Sequence, residues 1–276
     1  MKRFVLIVSM TALIACSRPY CFVQMSDPQI GFLDTSANFC RTDSLMKLAV
    51  GEANALQPVA VFMTGDMVNQ PWDGRQDSIY RARKAEIQAP VWEVPGNHDV
   101  LSDTLAGFST LLGAYISERG YARFSFRERG DAFIGIDSNC IKEGDAEAEH
   151  EQLQWLRKQL EEAAGRSGDA GISRARYIFV FLHCPIIRES IDEPEDYFNF
   201  PPEKRREYIS LFESAGVTAV FAGHTHKSCF CSYDGIDFYT AGPVGIPLGG
   251  GVSGFNVVRV SRSGIAVEFK TICAAH

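Results

Sequence analysis

Five short apolar runs, each broken off by a turn that carries a metal-ligating or proton-moving side chain, constrain this chain more than any other feature. Cys21–Met25 ends in Ser26-Asp27-Pro28-Gln29, and Val59–Met63 runs into Gly65-Asp66-Met67-Val68-Asn69. Pro90–Val94 feeds Pro95-Gly96-Asn97-His98-Asp99, Tyr177–Leu182 stops at His183, and Val217–Phe221 delivers Gly223-His224-Thr225-His226. Runs this continuous read as strands buried on both faces, the pattern of a sheet covered by helices. Such α/β sheets bind ligands at the carboxyl ends of their strands. A lone histidine in a turn is ordinarily a satisfied turn or core residue; the same placement at successive strand ends argues for one assembled site. Four of the six histidines fall in these turns, leaving His150 in a predicted helix and His276 at the terminus.

Between the runs, a helical period of apolar residues predicts helices over Asp43–Leu56, Gln76–Gln88, Leu101–Ser117, Glu147–Ala164 and Pro202–Ala215. Ala122–Glu128 and Asp131–Asp137 alternate like two strands around the turn at Arg129-Gly130. A polar stretch over 165–173 reads as a surface loop. Three short strands, around Ile236–Thr240, Phe255–Val260 and Ile265–Lys270, close the chain. The glycine-rich link between Gly242 and Gly254 lacks a following Lys-Ser or Lys-Thr, which excludes a phosphate-cradling P-loop. With 276 residues, 46% of them hydrophobic, the chain can bury a full core. Its net charge of -7 argues against a nucleic-acid partner. The basic clusters Arg81-Ala82-Arg83-Lys84 and Lys204-Arg205-Arg206 fit solvated helix faces.

The residue types at the strand ends suit a two-metal hydrolytic site. Ions roughly 3.5–4 Å apart need one bridging carboxylate and separate ligands for each ion. Asp66 is the natural bridge; Asp27, Gln29 and His226 could complete one ion, and Asn97, His183 and His224 the other. Imidazole and oxygen donors without thiolate point to Mn²⁺, Fe or Zn²⁺. His98 can move protons, and Asp99 can fix the tautomer of a nearby imidazole.

The N-terminus carries a different message. Lys2 and Arg3 precede the apolar run Phe4–Ala15, which reads as a secretory signal and is too short to span a bilayer. Leu13-Ile14-Ala15-Cys16 resembles a bacterial lipobox, implying that residues 1–15 are removed and that Cys16 carries lipid. The expectation is an exported lipoprotein of the cell envelope, membrane-attached through Cys16 alone. Of eight cysteines, seven then remain, an odd number that leaves at least one free thiol or an intermolecular bond. Their spacing shows no zinc framework, and most read as small core hydrophobes.

The ordered array resembles the calcineurin-like metallophosphoesterase superfamily, whose pattern is D-x-H, G-D-x-x-N, G-N-H-D, a lone histidine and G-H-x-H. The match runs from Asp27 to His226 and departs only at Gln29, where most members have histidine. Some subfamilies carry D-x-Q. Among them is the calcineurin-like phosphoesterase domain-containing protein 1 group, described as serine/threonine phosphatases. Ser190-Ile191-Asp192-Glu193, Asp196-Tyr197-Phe198-Asn199 and Ser232-Tyr233-Asp234-Gly235 look like that group's signatures. The resemblance implies an α/β fold of two packed mixed β-sheets flanked by helices, a four-layer α-β-β-α sandwich, with residues 16–276 as one domain. It also implies hydrolysis of a phosphorylated substrate by a monomer, in which a hydroxide between two metals attacks phosphorus in line. His98, held by Asp99, would protonate the leaving oxygen, and Tyr197 and Asn199 would line the rim. The alternatives are a phosphodiesterase or nucleotide pyrophosphatase, since an ADP-ribose and CDP-alcohol hydrolase group also has D-x-Q, and an inactive metal-poor binding protein.

Overall fold

A computed structural model describes residues 18–100, 102, 104–167 and 173–272. The signal-like segment, Cys16, Cys273 and His276 lie outside the described residues. In chain order the elements are β1 (Tyr20–Met25), α1 (Cys40–Ala55), β2 (Val61–Thr64), α2 (Gly74–Lys84), β3 (Val91–Val94), α3 (Asn97–Val100) and α4 (Leu105–Arg119). There follow β4 (Phe124–Glu128), β5 (Asp131–Gly135), α5 (Asn139–Lys142), α6 (Ala146–Ala163), β6 (Ile178–Phe181), α7 (Pro202–Ala215) and β7 (Ala219–Ala222). The chain closes with β8 (Cys229–Tyr233), β9 (Ile236–Thr240), β10 (Gly254–Val260) and β11 (Ile265–Thr271).

The strands form two mixed sheets, ordered β11-β10-β1-β2-β3 and β4-β5-β6-β7-β9-β8. In the first, β1, β2 and β3 are parallel. In the second, β5, β6, β7 and β9 are parallel. The apolar runs are buried on both faces for a reason visible residue by residue. Phe22, Phe62, Phe179, Phe181 and Phe221 point between the sheets. Their neighbours Val23, Val61, Met63, Val180 and Val220 join the second core, with Met46, Val50, Leu156 and Phe212 of the helices. The period of two thus sorts aromatic rings into the inter-sheet layer and mostly aliphatic side chains into the helix-facing layers. This is the sandwich of two sheets flanked by helices that the sequence implies.

Three details differ from the sequence reading. The close of the chain has a fourth strand, β8, which pairs antiparallel with β9 at the sheet edge. Helix α2 stops at Lys84 rather than Gln88: the N–H groups of Glu86 and Ile87 bond three residues back, to the carbonyls of Arg83 and Lys84, and close the helix in a tight turn before Pro90. Of the six described cysteines only Cys140 and Cys184 are buried, so most are not core residues. Among the described residues no helix is long and apolar enough to cross a membrane.

Phe22 is the hub of the inter-sheet layer, with ring centroids of Phe62, Phe133, Phe179, Phe181 and Phe221 at 5.2–5.9 Å. Phe22→Ala should therefore destabilise the fold by about 3–5 kcal/mol in a urea titration. A loss below ~1 kcal/mol would mean that the layer collapses around the gap.

Candidate metal centre

The parallel strands of both sheets end on one side of the molecule, and the turns that follow them converge. Gln24 of β1 ties the sheets together just below, donating to Thr64 Oγ1 (2.9 Å) and to the Ala222 carbonyl of β7 (2.8 Å). Above this strut two groups of ligand atoms gather, Asp66 with His183 and His224, and Asp27 with Asp66 and His226, each group within 4.8 Å. Asp66 is common to both. Gln29 and Asn97 lie beside them, and all seven residues are buried. The structure thus brings together every metal-ligating residue that the sequence singles out.

Each imidazole is fixed by a backbone carbonyl. His183 Nδ1 lies 2.8 Å from the Thr64 carbonyl, His226 Nδ1 2.7 Å from that of Ile246, and His224 Nε2 3.1 Å from that of Tyr197. A carbonyl only accepts, so each of these nitrogens carries the proton and the opposite nitrogen presents a lone pair to the centre. His183 Nε2 consequently faces Asn97 Oδ1 at 3.0 Å and His224 Nδ1 at 3.1 Å. Acceptors set against acceptors at these distances demand a positive charge among them.

The ionisation behaviour agrees. Burial lifts the Asp27 carboxyl above its ordinary range. Burial would lift Asp66 too, but the His183 imidazole beside it holds that carboxyl well below the usual range. Burial alone would lower His183; the Asp66 carboxylate instead brings it up to about 10. His224, buried and next to His183, falls to about 3. Left to itself, the cluster captures a proton on His183 where a cation would serve.

Gln29 Oε1 supplies an independent test of fit. Its Nε2 donates to Asn69 Oδ1 at 3.3 Å, whereas its buried Oε1 has no hydrogen-bond partner. A buried acceptor without a donor is costly, and a cation beside Asp27 and His226 would satisfy it. The donor set therefore fits two divalent cations, Asp27, Gln29, Asp66 and His226 able to hold one and Asp66, Asn97, His183 and His224 the other.

The turns themselves are strained. Asp27, Gln29, Asp66, His224 and His226 all have positive φ, between 34° and 71°. A non-glycine residue in the left-handed region costs on the order of 1–3 kcal/mol and persists where its surroundings over-determine it. Gly96 makes room for Asp66: a β-carbon there would overlap the Asp66 backbone nitrogen and carboxylate.

His98 and Asp99 depart from the expected pairing. His98 Nδ1 donates to the Asn69 carbonyl (2.9 Å), which leaves Nε2 available, while its backbone N–H holds Asp66 Oδ1 (2.8 Å). Asp99 turns away and accepts from the N–H groups of Met67 (2.9 Å) and Gly96 (2.8 Å). It braces the Asp66 and Asn97 turns against each other and does not hold the His98 ring. Asn69, which does, belongs to the G-D-x-x-N pattern, but the contact is through its backbone and leaves no trace in residue type.

The acidic loop also differs in part. Tyr197 does reach the centre, its hydroxyl accepting from Asn97 Nδ2 at 2.9 Å. Asn199 is fully buried and does not line the rim; it braces the loop by donating to Glu193 Oε1 (2.8 Å) and accepting from the Asp196 N–H (2.9 Å). Arg205, expected on a solvated face, is likewise fully buried, donating to the carbonyls of Phe200, Ile191, Glu193 and Pro194.

Residues 22–228 match the family model described as calcineurin-like phosphoesterase. The chain belongs to that family. It is 30% identical over 275 residues to "Serine/threonine-protein phosphatase CPPED1" of Danio rerio, covering 93% of this chain and 86% of that protein. The Bos taurus protein of the same name is 29% identical over 277 residues, covering 92% and 84%. A dimetal phosphatase structure from Danio rerio superposes with a TM-score of 0.66 at 15% identity, covering 91% of this chain and 96% of that one. The calcineurin-like phosphoesterase described here is a metal-dependent phosphoester hydrolase, and its fold is that of the dimetal phosphatases.

Gly96→Ala should drive a methyl group into Asp66 and lower metal content and activity together, as Asp66→Asn should do directly. Metal analysis beside an assay on p-nitrophenyl phosphate checks this. Full activity with undiminished metal in either variant would remove Asp66 from the centre.

Proposed function

We propose that this enzyme is a phosphomonoesterase of the protein serine/threonine phosphatase type. The observation that carries the reading is the likeness to the phosphatases named above, which extends over 92–93% of this chain. A groove of about 210 Å³ beside the His224 turn, lined by Arg188, Phe198, Thr225, Lys227 and Ser228, supports a substrate larger than a bare phosphate ester. Its wall, where Arg188 and Lys227 stand with Glu189, suits the polypeptide around a phosphorylated residue.

Two divalent cations held by the seven ligands would supply Lewis acidity towards phosphoryl oxygens and lower the pKa of a water nucleophile. The amide oxygen of Gln29 in place of an imidazole favours Mn²⁺ over Zn²⁺ in the first position. His98 acts on the other side of the reaction: with Nδ1–H committed to the Asn69 carbonyl, its Nε2 can carry a proton to the leaving oxygen. Asp99 keeps the two turns in register while this happens.

With Mn²⁺ present, the protein should hydrolyse phosphoserine and phosphothreonine proteins and p-nitrophenyl phosphate faster than bis-p-nitrophenyl phosphate. Preference for the bis-ester would replace the reading with a phosphodiesterase. His98→Asn should keep its metals and lose kcat, least for p-nitrophenyl and most for alkyl phosphates, whose leaving groups need protonation. Equal losses across leaving groups would remove His98 as the acid.

We also infer an exported, lipid-anchored enzyme from Lys2, Arg3, the apolar run and Cys16. Strand β1 begins at Tyr20, and its far end leads to Asp27, which supports a centre facing away from the membrane. Cys16→Ser should convert a detergent-requiring protein into a freely soluble, active one. Wild type recovered wholly without detergent would refute the anchor.

A further inference from the structure

The side chain of Tyr197 reaches the metal centre from outside the ligand set. Asn97 Nδ2 is a pure donor, so in its 2.9 Å contact with Tyr197 the phenol oxygen accepts. The phenol proton is therefore uncommitted, and among the described residues no acceptor takes it. The ring packs against the His224 imidazole with centroids 4.7 Å apart, yet the residue is 54% exposed. Tyr197 thus stands at the open side of the centre, over the two ligands Asn97 and His224, with a free O–H.

The loop that delivers it is held from many sides. Glu193 accepts the N–H groups of Glu189 (2.7 Å) and Ser190 (3.2 Å), and Arg188 pairs with Asp196 at 2.7 Å. Lys142 donates to the carbonyls of Asp196 (3.0 Å) and Asn199 (2.6 Å), on either side of Tyr197. A hydroxyl fixed in this way loses little freedom when it meets an anion, which is the condition for a preorganised donor. Of the four acids between residues 191 and 199, Asp192, Glu193 and Asp196 meet Arg206, Asn199 and Arg188, and the exposed Glu195 remains, so most of the loop's negative charge is engaged where it nears a phosphoryl group.

Resting on the phosphoester-hydrolase reading, we propose that the Tyr197 hydroxyl donates a hydrogen bond to a non-bridging oxygen of the phosphoryl group undergoing transfer. No bond to oxygen or hydrogen is made or broken by Tyr197; it stabilises charge that grows on that oxygen. His98 serves the leaving oxygen and Tyr197 the equatorial oxygens. Their effects on substrates of different leaving group must accordingly differ.

Tyr197→Phe separates this from a structural role, because it keeps the aromatic ring against His224 and the backbone carbonyl that fixes that imidazole. In the Mn²⁺-loaded enzyme, metal content and thermal midpoint should match wild type. The value of kcat/KM should fall on the order of 10–100-fold, by a similar factor for p-nitrophenyl and alkyl phosphates. Orthovanadate, an anion that imitates the transferring group, should bind more weakly by a comparable factor in calorimetry. That measurement does not depend on turnover, so it reads the proposal even if no phosphoester is cleaved and the functional reading itself fails. Unchanged vanadate affinity and kcat/KM would overturn the proposal. So would loss of one metal equivalent in parallel with activity, since Tyr197 would then act only by orienting Asn97.

Discussion

The centre depends on ring protons being held by backbone carbonyls. An imidazole whose tautomer is free spends part of its time presenting N–H to a site that needs a lone pair. Here the carbonyls of Thr64, Tyr197 and Ile246 settle that choice for His183, His224 and His226, and that of Asn69 settles it for His98. These acceptors lie at the end of β2, in two loops and in a turn, so the two sheets and the acidic loop must all be in place before the site exists.

That requirement explains why the fold tolerates its strain. Five ligand-bearing residues sit in the left-handed region, an arrangement that isolated turns would abandon. The phenylalanine layer between the sheets holds the strand ends still, and the buried acceptor Gln29 Oε1 is left without a hydrogen-bond donor. Affinity for cations and strain of the backbone are two sides of the same construction.

Much of this is legible in the sequence. Continuous apolar runs announce strands covered on both faces, and Asp27, Gln29, Asp66, Asn97, His183, His224 and His226 announce themselves by following them. What escapes is whatever is done by backbone or by direction. The partner of His98 is a carbonyl, which any residue could supply, so Asp99 was the natural candidate from residue type and proximity alone. Residue type alone puts Asn199 at the rim and Arg205 on a solvated face, because polar residues usually face water; both are buried because loop carbonyls and a buried carboxylate need donors. The edge strand β8, five residues of alternating exposure with none fully buried, gives too weak an apolar signal to stand out.

The segment from Arg188 to Arg205 carries most of its own fastenings: Glu193, Asn199 and Arg205 bind it to itself, while its touch on the catalytic centre comes through the neighbours Tyr197 and Phe198. It is a cartridge with one pair of contact pins. Lineages could exchange what surrounds those pins, and with it the family of molecules admitted, without re-inventing the metal cradle beneath. In an enzyme superfamily of one chemistry and many diets, such modularity is where diversification has the least to lose.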